Sequence, residues 1–344
     1  MRAAVTTGPG GPIEVTAVPD PERTAGEVLV RVEAASVNRL DRMVFERGVG
    51  PGGPVTFPLI QGIDAAGVVE SGAGSTPTGL RVAIKPSIQC RRCRWCKAGR
   101  AADCTSSTSF GIHRQGGFAE LISVPRANLV RLPDDVSFVS GAAAAHTHAV
   151  VLRMIRAAGE LAPDPITLVT GAGGALGTAA VQIAAALGHR VIAVATTDEK
   201  LLATRDLGAL VGLNRTTGDV VDDVMTSTGG QGVDLVLETT GAPEVITEAH
   251  RSLGRCGTLV LVAAVTGARL ELDAFETYRS RHRIVGSAGS NFADFADVYK
   301  MLSEHSIEPV VARTFRLEEA WAAMDAIIDR SRIGKIVIEM GERP

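Results

Sequence analysis

Cys90, Cys93, Cys96 and Cys104 stand in the stretch C-R-R-C-R-W-C-K-A-G-R-A-A-D-C, a C-x2-C-x2-C-x7-C spacing. Four thiolates this close can surround one tetrahedral zinc ion, and a shell closed by cysteine alone belongs to a structural site, not a reactive one. A second set of residues is suited to a phosphate. Ile166–Gly188 reads I-T-L-V-T-G-A-G-G-A-L-G-T-A-A-V-Q-I-A-A-A-L-G, with glycines at 171, 173, 174 and 177. Glycine permits a tight turn and lets the backbone approach a pyrophosphate, which the N-terminus of a following helix favours. Gly171, Gly173, Gly174, Ala175, Leu176 and Gly177 are therefore the candidate dinucleotide contacts.

The end of the next strand bears on which dinucleotide is bound. An NAD site usually carries an acidic residue there, about 20 residues beyond the glycines, for the ribose hydroxyls. Here Val191–Val194 is followed by Ala195, Thr196 and Thr197, with Lys200 on the next turn. Two hydroxyls and a cation suit a 2′-phosphate, which a carboxylate would repel. The expected cofactor is NADPH, bound through Thr196, Thr197 and Lys200. Asp198 is close by and is placed to cap the helix.

The elements that position these residues follow from periodicity. Up to about residue 145 the chain reads as mostly β. Glu27–Ala34 (E-V-L-V-R-V-E-A) alternates apolar and charged side chains, as a half-buried strand does. Gly8–Pro12 and Gly48–Pro54 mark turns, the cysteine lobe is a loop without periodicity, and Gly116–Val124 resumes a strand pattern. Beyond about residue 146, strand and helix patterns alternate. Strands are expected at Ile166–Thr170, Arg190–Val194, Asp234–Glu238, Thr258–Val262 and Ile284–Gly286. Helices are expected on Leu176, Ala180, Ile183, Ala184 and Leu187, and over Lys200–Leu207. That alternation implies a parallel sheet covered on both faces, an α/β class. Helices at Phe292–Leu302 and Leu317–Ile328 and a strand at Lys335–Glu339 complete the chain.

Composition removes other classes. At 344 residues there is room for two domains. Aromatics are 4% and the formal net charge is −3, so neither a base-stacking surface nor a basic footprint for nucleic acid is expected. No run is long and apolar enough to span a bilayer, and the N-terminus lacks a hydrophobic signal core. The expectation is a cytoplasmic protein with no membrane partner. Five cysteines, four of them clustered, fit reduced metal ligands better than disulfides. Cys256, in L-G-R-C-G-T, reads as a small packing residue.

Several motifs together resemble the medium-chain dehydrogenase/reductase superfamily, which includes the zinc alcohol dehydrogenases and the quinone oxidoreductases. They are D-A-A-G-V-V-E-S-G at Asp64–Gly72, the cysteine lobe, G-G-F-A-E at Gly116–Glu120, the Gly-rich turn, V-D-L-V-L-E-T-T-G at Val233–Gly241 and G-K-I-V at Gly334–Val337. The resemblance implies a GroES-like, mostly-β catalytic domain over residues 1–145, completed by 289–344. It implies a doubly wound Rossmann domain over 146–288, with Gly241 at the cofactor and one structural zinc per chain. The usual dimer of the superfamily pairs edge strands, and Thr258–Gly267 is the expected edge of a homodimer.

The resemblance breaks at the reactive metal. In the zinc-dependent branch a Cys in the segment matching Ser36–Asp41 is a ligand, and here that position is Asn38. The branch's Gly-His-Glu reads Gly62-Ile63-Asp64, and its third ligand, usually Cys, falls near Ala144. Leu40 stands where a proton-relaying hydroxyl is found. Ile63 and Ala144 have no donor atom, and Asn38 and Asp64 offer hard oxygens. Instead, S-V-N-R-L-D at Ser36–Asp41 and G-I-D-A-A-G resemble the V-N-x-x-D and G-x-D-x-A-G of quinone oxidoreductases and double-bond reductases. Most quinone oxidoreductases lack the cysteine lobe.

What this implies is an NADPH-dependent reductase of α,β-unsaturated carbonyls, enoyl thioesters or quinones, acting on a small-molecule substrate. Hydride adds at the β-carbon, charge spreads into an enolate, and a hydrogen bond with a proton source suffices. Asn38 is the candidate amide donor, and Asp41 the residue that orders its loop or takes part in the chemistry. Arg39 matches a pyrophosphate contact. His146 and His148 flank the third-ligand position as candidate proton donors, and Lys85 and Pro86 match a region that lines the substrate pocket. An alcohol or aldehyde dehydrogenase with a nonstandard site, and a non-catalytic NADPH-binding protein, are the alternatives.

Overall fold

The computed structural model describes residues 1–72, 74, 76–263 and 269–341. Its contacts divide the chain into two units, Met1–His146 with Ser290–Pro344, and Thr147–Gly289.

The long strand Glu27–Val37 is the spine of the first unit. Its early residues alternate between buried and half-buried, and Ala34–Val37 is buried throughout. It pairs antiparallel with Asp64–Ser71, Leu121–Pro125 and Lys335–Glu339. Asp64–Ser71 continues to Arg81–Ile84 and Leu129–Arg131, and Val311–Arg316 adds a parallel strand beyond Lys335–Glu339. Val28, Val30, Val32, Ile84, Phe118 and Ile336 belong to the core this sheet encloses. Register matters most at one end. Ser36 lies opposite Asp64, and Val37 opposite Ile336, so the next step brings Lys335 beside Asn38. Residues some 300 positions apart in the chain thus meet where the spine strand ends. There the helix Arg39–Arg47 begins, with Asn38 as its N-cap and Asp41 closing a capping box.

The second unit is a six-stranded parallel sheet. Its order is Ala209–Asn214, Arg190–Ala195, Ile166–Val169, Val233–Glu238, Leu253–Leu261 and Arg283–Gly286. The helices Ala175–Ala186, Asp198–Asp206, Val220–Ser227 and Pro243–Arg251 link its strands, over a core that includes Leu168, Ile192, Val236 and Leu259. Strand order reverses between Ile166–Val169 and Val233–Glu238. In such sheets a ligand binds beyond the carboxyl ends of the strands at that reversal.

Three expectations need correction. The helix expected at Lys200–Leu207 starts at Asp198, because Thr197 accepts a hydrogen bond from the Lys200 N–H and caps it. The helix expected at Leu317–Ile328 is a 3-10 turn, Leu317–Glu319, followed by the short helix Ala320–Ala326. Thr258–Gly267 is not the sheet edge. Thr258–Leu261 is paired on both sides, so its ladder groups are already engaged, while residues 264–267 lie outside the described residues. The edge strand on that side is Arg283–Gly286, and the opposite edge is Ala209–Asn214. Among the described residues no single helix is long and apolar enough to cross a membrane.

Candidate active site

A closed polar cluster sits where the spine strand of the first unit ends. The Lys335 ammonium donates to Asn38 Oδ1 at 2.7 Å and meets Asp64 Oδ2 at 3.4 Å. The same Asp64 oxygen accepts from the Ser36 hydroxyl at 2.8 Å and from Asn38 Nδ2 at 2.9 Å. The other N–H of that amide lies 3.3 Å from the Ser36 carbonyl. Lys335 and Asp64 are both fully buried. A charge pair in such a place survives only when each group is well supplied with partners. Asp64 Oδ1 is the exception, buried with no partner among the described residues. Burial pushes the Lys335 ammonium below its usual range, while the Asp64 and Asp41 carboxylates pull it back up.

The Asn38 expectation is corrected here. Both N–H bonds of its amide are directed at Ser36 and Asp64, and its oxygen accepts from Lys335. It has no donor left for a substrate carbonyl. Asp41 binds loops together. Its Oδ2 accepts from the Asn38 N–H at 2.8 Å, and its Oδ1 from the Gly62 and Ile63 N–H groups at 3.3 and 3.2 Å. Burial, with Asp64 close by, pushes its carboxyl up to about 7 against those donors and Lys335.

Arg39 is exposed on the first turn of the helix after Asn38. Burial lowers Arg332, and Arg39 stands near enough for its charge to lower it further. Two guanidiniums held near each other are suited to an anion. His146 is half-buried, and burial lowers it, with Asp64, Lys335 and Lys85 all acting on it through space. Lys85 is itself buried beside Ser87. His148 is a correction. It is buried in the helix Thr147–Ala158 of the second unit, its Nδ1 3.2 Å from Thr147 Oγ1 and its Nε2 3.3 Å from Gln182 Oε1. With both ring nitrogens engaged between helices, it has a packing role.

In the second unit the Gly-rich turn meets the demands of a phosphate cradle. Gly171 has φ +60°, and a Cβ there would lie 2.8 Å from Thr240 Cγ2. At Gly177 a Cβ would come within 2.1 Å of the Gly171 carbonyl oxygen. Gly174 caps the helix Ala175–Ala186 without a side chain, so the first N–H groups, on Ala175, Leu176 and Gly177, are left to an outside acceptor. A Cβ at Gly173 would come 2.7 Å from Cγ and Cδ of Lys200, so the lysine stem lies over the turn. Thr196 and Thr197 are exposed at the end of Arg190–Ala195. Asp198 Oδ1 is held by Asn214 Nδ2 at 2.7 Å. A dinucleotide phosphate fits this cradle.

Gly241, with φ +71°, ends a knot around Glu238. That fully buried carboxylate accepts from the Thr170 hydroxyl at 3.1 Å, the Thr240 N–H at 2.8 Å and the Gly241 N–H at 3.0 Å. It ties the start of the Gly-rich turn to the end of Val233–Glu238. Glu238, Lys335 and Arg332 are site residues that sequence reasoning missed. Glu238 and Lys335 stood in motifs read only as marks of resemblance, Glu238 at the end of an apolar run and Lys335 at the start of one.

The four cysteine sulfurs of the first unit lie within 4.8 Å of one another, and Cys90 and Cys104 Sγ are 3.5 Å apart. Tetrahedral zinc–thiolate bonds place sulfurs about 3.8 Å apart, so the set fits one zinc. Backbone N–H groups also point at the sulfurs. The Cys96 amide lies 3.5 Å from Cys93 Sγ and, with that of Thr105, lowers this thiol to about 6. A second, reactive zinc does not fit. Of the four matching positions, Ile63 and Ala144 end in hydrocarbon. Asn38 Oδ1 and Asp64 Oδ2 hold the Lys335 ammonium, which leaves Asp64 Oδ1 as a single carboxylate oxygen, too few donors for a zinc shell.

Residues 24–134 match the family model of the alcohol dehydrogenase GroES-like domain, and residues 175–304 that of the zinc-binding dehydrogenase. The acryloyl-coenzyme A reductase of Sulfurisphaera tokodaii is 28% identical over 344 residues, 98% of this chain and 100% of that protein. The crystal structure of an NAD-dependent alcohol dehydrogenase superposes with a TM-score of 0.92 at 31% identity, covering 99% of this chain and 100% of that one. A structure from Sinorhizobium meliloti, described as a zinc-binding dehydrogenase bound to NADP, gives 0.90 at 27% identity, covering 98% and 99%. With a GroES-like β unit, a Rossmann sheet and a four-cysteine lobe, the chain belongs to the medium-chain dehydrogenase/reductase superfamily and is an oxidoreductase of that group.

Proposed function

We propose that this chain reduces C=C bonds activated by a carbonyl, in α,β-unsaturated carbonyls, enoyl thioesters or quinones, with NADPH as the reductant. One observation carries the reading: at two of the matching metal-ligand positions Asn38 Oδ1 and Asp64 Oδ2 hold an internal ammonium, and the other two positions have no donor atom. Reducing an isolated ketone leaves a localised alkoxide, which demands a strong electrophile. Reducing a conjugated C=C spreads the charge into an enolate, for which a hydrogen-bond donor suffices. The likeness to an acryloyl-coenzyme A reductase over the full length supports the same class.

NADPH, when bound, supplies the hydride. The chain's own residues would hold it. In the second unit the N–H groups at the start of Ala175–Ala186 are suited to the pyrophosphate, and Thr196, Thr197 and Lys200 to the 2′-phosphate; in the first unit the Arg39–Arg332 pair is suited to a phosphate. Some relatives are named NAD-dependent. The engagement of Asp198 with Asn214 and the seating of Lys200 over Gly173 favour the phosphorylated cofactor. The cysteine lobe would hold a zinc with no part in the chemistry. The edge strand Arg283–Gly286, with Ile284 exposed, is suited to pairing with a second copy in a homodimer.

The test is a panel of enones, quinones and enoyl-coenzyme A thioesters, followed by nicotinamide absorbance with NADPH and NADH in parallel. Metal is counted by native mass spectrometry. Turnover of the panel with one zinc per chain is expected. Two zinc ions per chain with oxidation of simple alcohols would replace this reading with an alcohol dehydrogenase. Cofactor binding without any turnover would replace it with a non-catalytic binding protein. A monomer mass by light scattering at micromolar concentration would remove the homodimer.

A further inference from the structure

The polar cluster at Asn38 leaves one donor without an acceptor among the described residues, and it is not the amide. Asn38 has both N–H groups directed at Ser36 and Asp64, the Ser36 hydroxyl is on Asp64, and Asp41 accepts from three backbone N–H groups. Of the three Lys335 N–H bonds, one is directed at Asn38 and one at Asp64. The third has no acceptor among the described residues. We propose that this third N–H of Lys335 is the donor to the carbonyl oxygen of the acceptor, standing at the place where zinc-dependent relatives use a metal. This inference rests on the reductive reading above.

The chemistry balances. The hydride and its electron pair pass from NADPH to the β-carbon, leaving NADP⁺. The C=C electrons move onto the carbonyl oxygen, where the Lys335 N–H stabilises the enolate. The enolate then takes a proton at its α-carbon from water, and the carbonyl is restored. A buried donor is preorganised: Asn38 and Asp64 hold the ammonium before any charge develops, and little reorganisation is needed when it does. Burial and Arg332 oppose the ammonium's charge, Asp64 and Asp41 favour it, and His146 stands within range of its field. Lysine differs from a metal in one useful way. It cannot bind an alcohol oxygen as an alkoxide, so it favours the enolate chemistry over alcohol oxidation.

The experiment compares Lys335→Met and Lys335→Arg with the parent on the best substrate from the panel. It measures NADPH affinity by fluorescence and hydride transfer in single turnovers. Losing one such donor costs about 100- to 1,000-fold in rate. Lys335→Met should show that loss with NADPH affinity nearly unchanged, and Lys335→Arg, which keeps the charge, should lose less. Removing one member of a buried pair can unfold a protein. The same measurements are therefore made on Lys335→Met with Asp64→Asn, which has no unpaired charge and should show the same loss. Hydride transfer within tenfold of the parent in either Met variant overturns the proposal. So does a loss of NADPH affinity that parallels the loss of rate, which would make Lys335 a cofactor ligand. A parent enzyme that reduces nothing in the panel sinks the reductive reading instead, so the two failures are distinct.

Discussion

Replacing Lys200 by alanine tests the cofactor assignment directly. The lysine begins on the capped first turn of Asp198–Asp206, where its own N–H is 3.4 Å from Thr197 Oγ1. Its Cγ and Cδ lie where a Cβ on Gly173 would be 2.7 Å away, so the stem is pinned over the turn proposed to receive the phosphates. A stem so held loses little side-chain entropy on binding, and under the proposed function its ammonium would meet the 2′-phosphate. A charge-assisted hydrogen bond of this kind contributes about 1.5–3 kcal/mol. The site is partly exposed and solvent screening weakens the pair, so the low end applies. That is about 10- to 30-fold at 1.4 kcal/mol per decade. Lys200→Ala should therefore raise the NADPH dissociation constant by about that factor and leave NADH nearly unchanged. The gap between the two cofactors in the parent should also narrow with added salt. Equal losses for NADH and NADPH would make Lys200 a prop for the turn, and no loss at all would remove it from the site. Asp198 supplies the control. Its carboxylate is on Asn214 at 2.7 Å, so Asp198→Asn should change the NADPH/NADH ratio by only about threefold.

Lys85 should make stability depend on alkaline pH. Burial lowers its ammonium from 10.5 to about 8, so below about pH 8 the folded state carries the cost of a buried charge, and that cost fades as pH rises toward 10.5. At 1.36 kcal/mol per pH unit the parent should gain about 3 kcal/mol across that window relative to Lys85→Met, read from urea midpoints; parallel curves for the two proteins would refute this. Stripping zinc with a chelator should release one ion per chain and shift the emission of Trp95, whose ring lies 4.4 Å from the guanidiniums of both Arg94 and Arg100 within the lobe. Trp321→Phe removes the only other tryptophan signal, and an unchanged spectrum would disconnect the lobe from the metal. Glu238→Gln should destabilise the protein by about 2–4 kcal/mol, since an amide N–H₂ would then face donors of Thr170, Thr240 or Gly241. A melting temperature equal to the parent's would refute it.

What was legible in the sequence was local. The cysteine lobe and the Gly-rich turn are sets of residues whose partners lie within a few positions, so spacing alone carried their geometry. Thr197 and Asp198 were legible as neighbours, and their division of labour, one capping and one held by Asn214, needed the third strand of the sheet. The error at Asn38 has a more general cause. An asparagine amide with two donors and one acceptor reads as available until every partner is counted. Those partners are Ser36, two residues away, Asp64, 26 away, and Lys335, 297 away. Only strand register brings them to one point, and register is set by the apolar alternation of strands whose pairing no single stretch reveals. The same register explains how a lysine that opens the last strand comes to be fully buried. G-K-I-V reads as a polar residue before an apolar run, an ordinary strand start, and Lys335 would be a surface residue if that strand lay at an edge. It lies between Glu27–Val37 and Val311–Arg316 instead, so its charge must be met inside the protein. Asp64 and Asn38 meet it. With Ile63 and Ala144 lacking donor atoms and the ammonium on Asn38 Oδ1 and Asp64 Oδ2, a divalent ion would have neither the charge balance nor the coordination it requires.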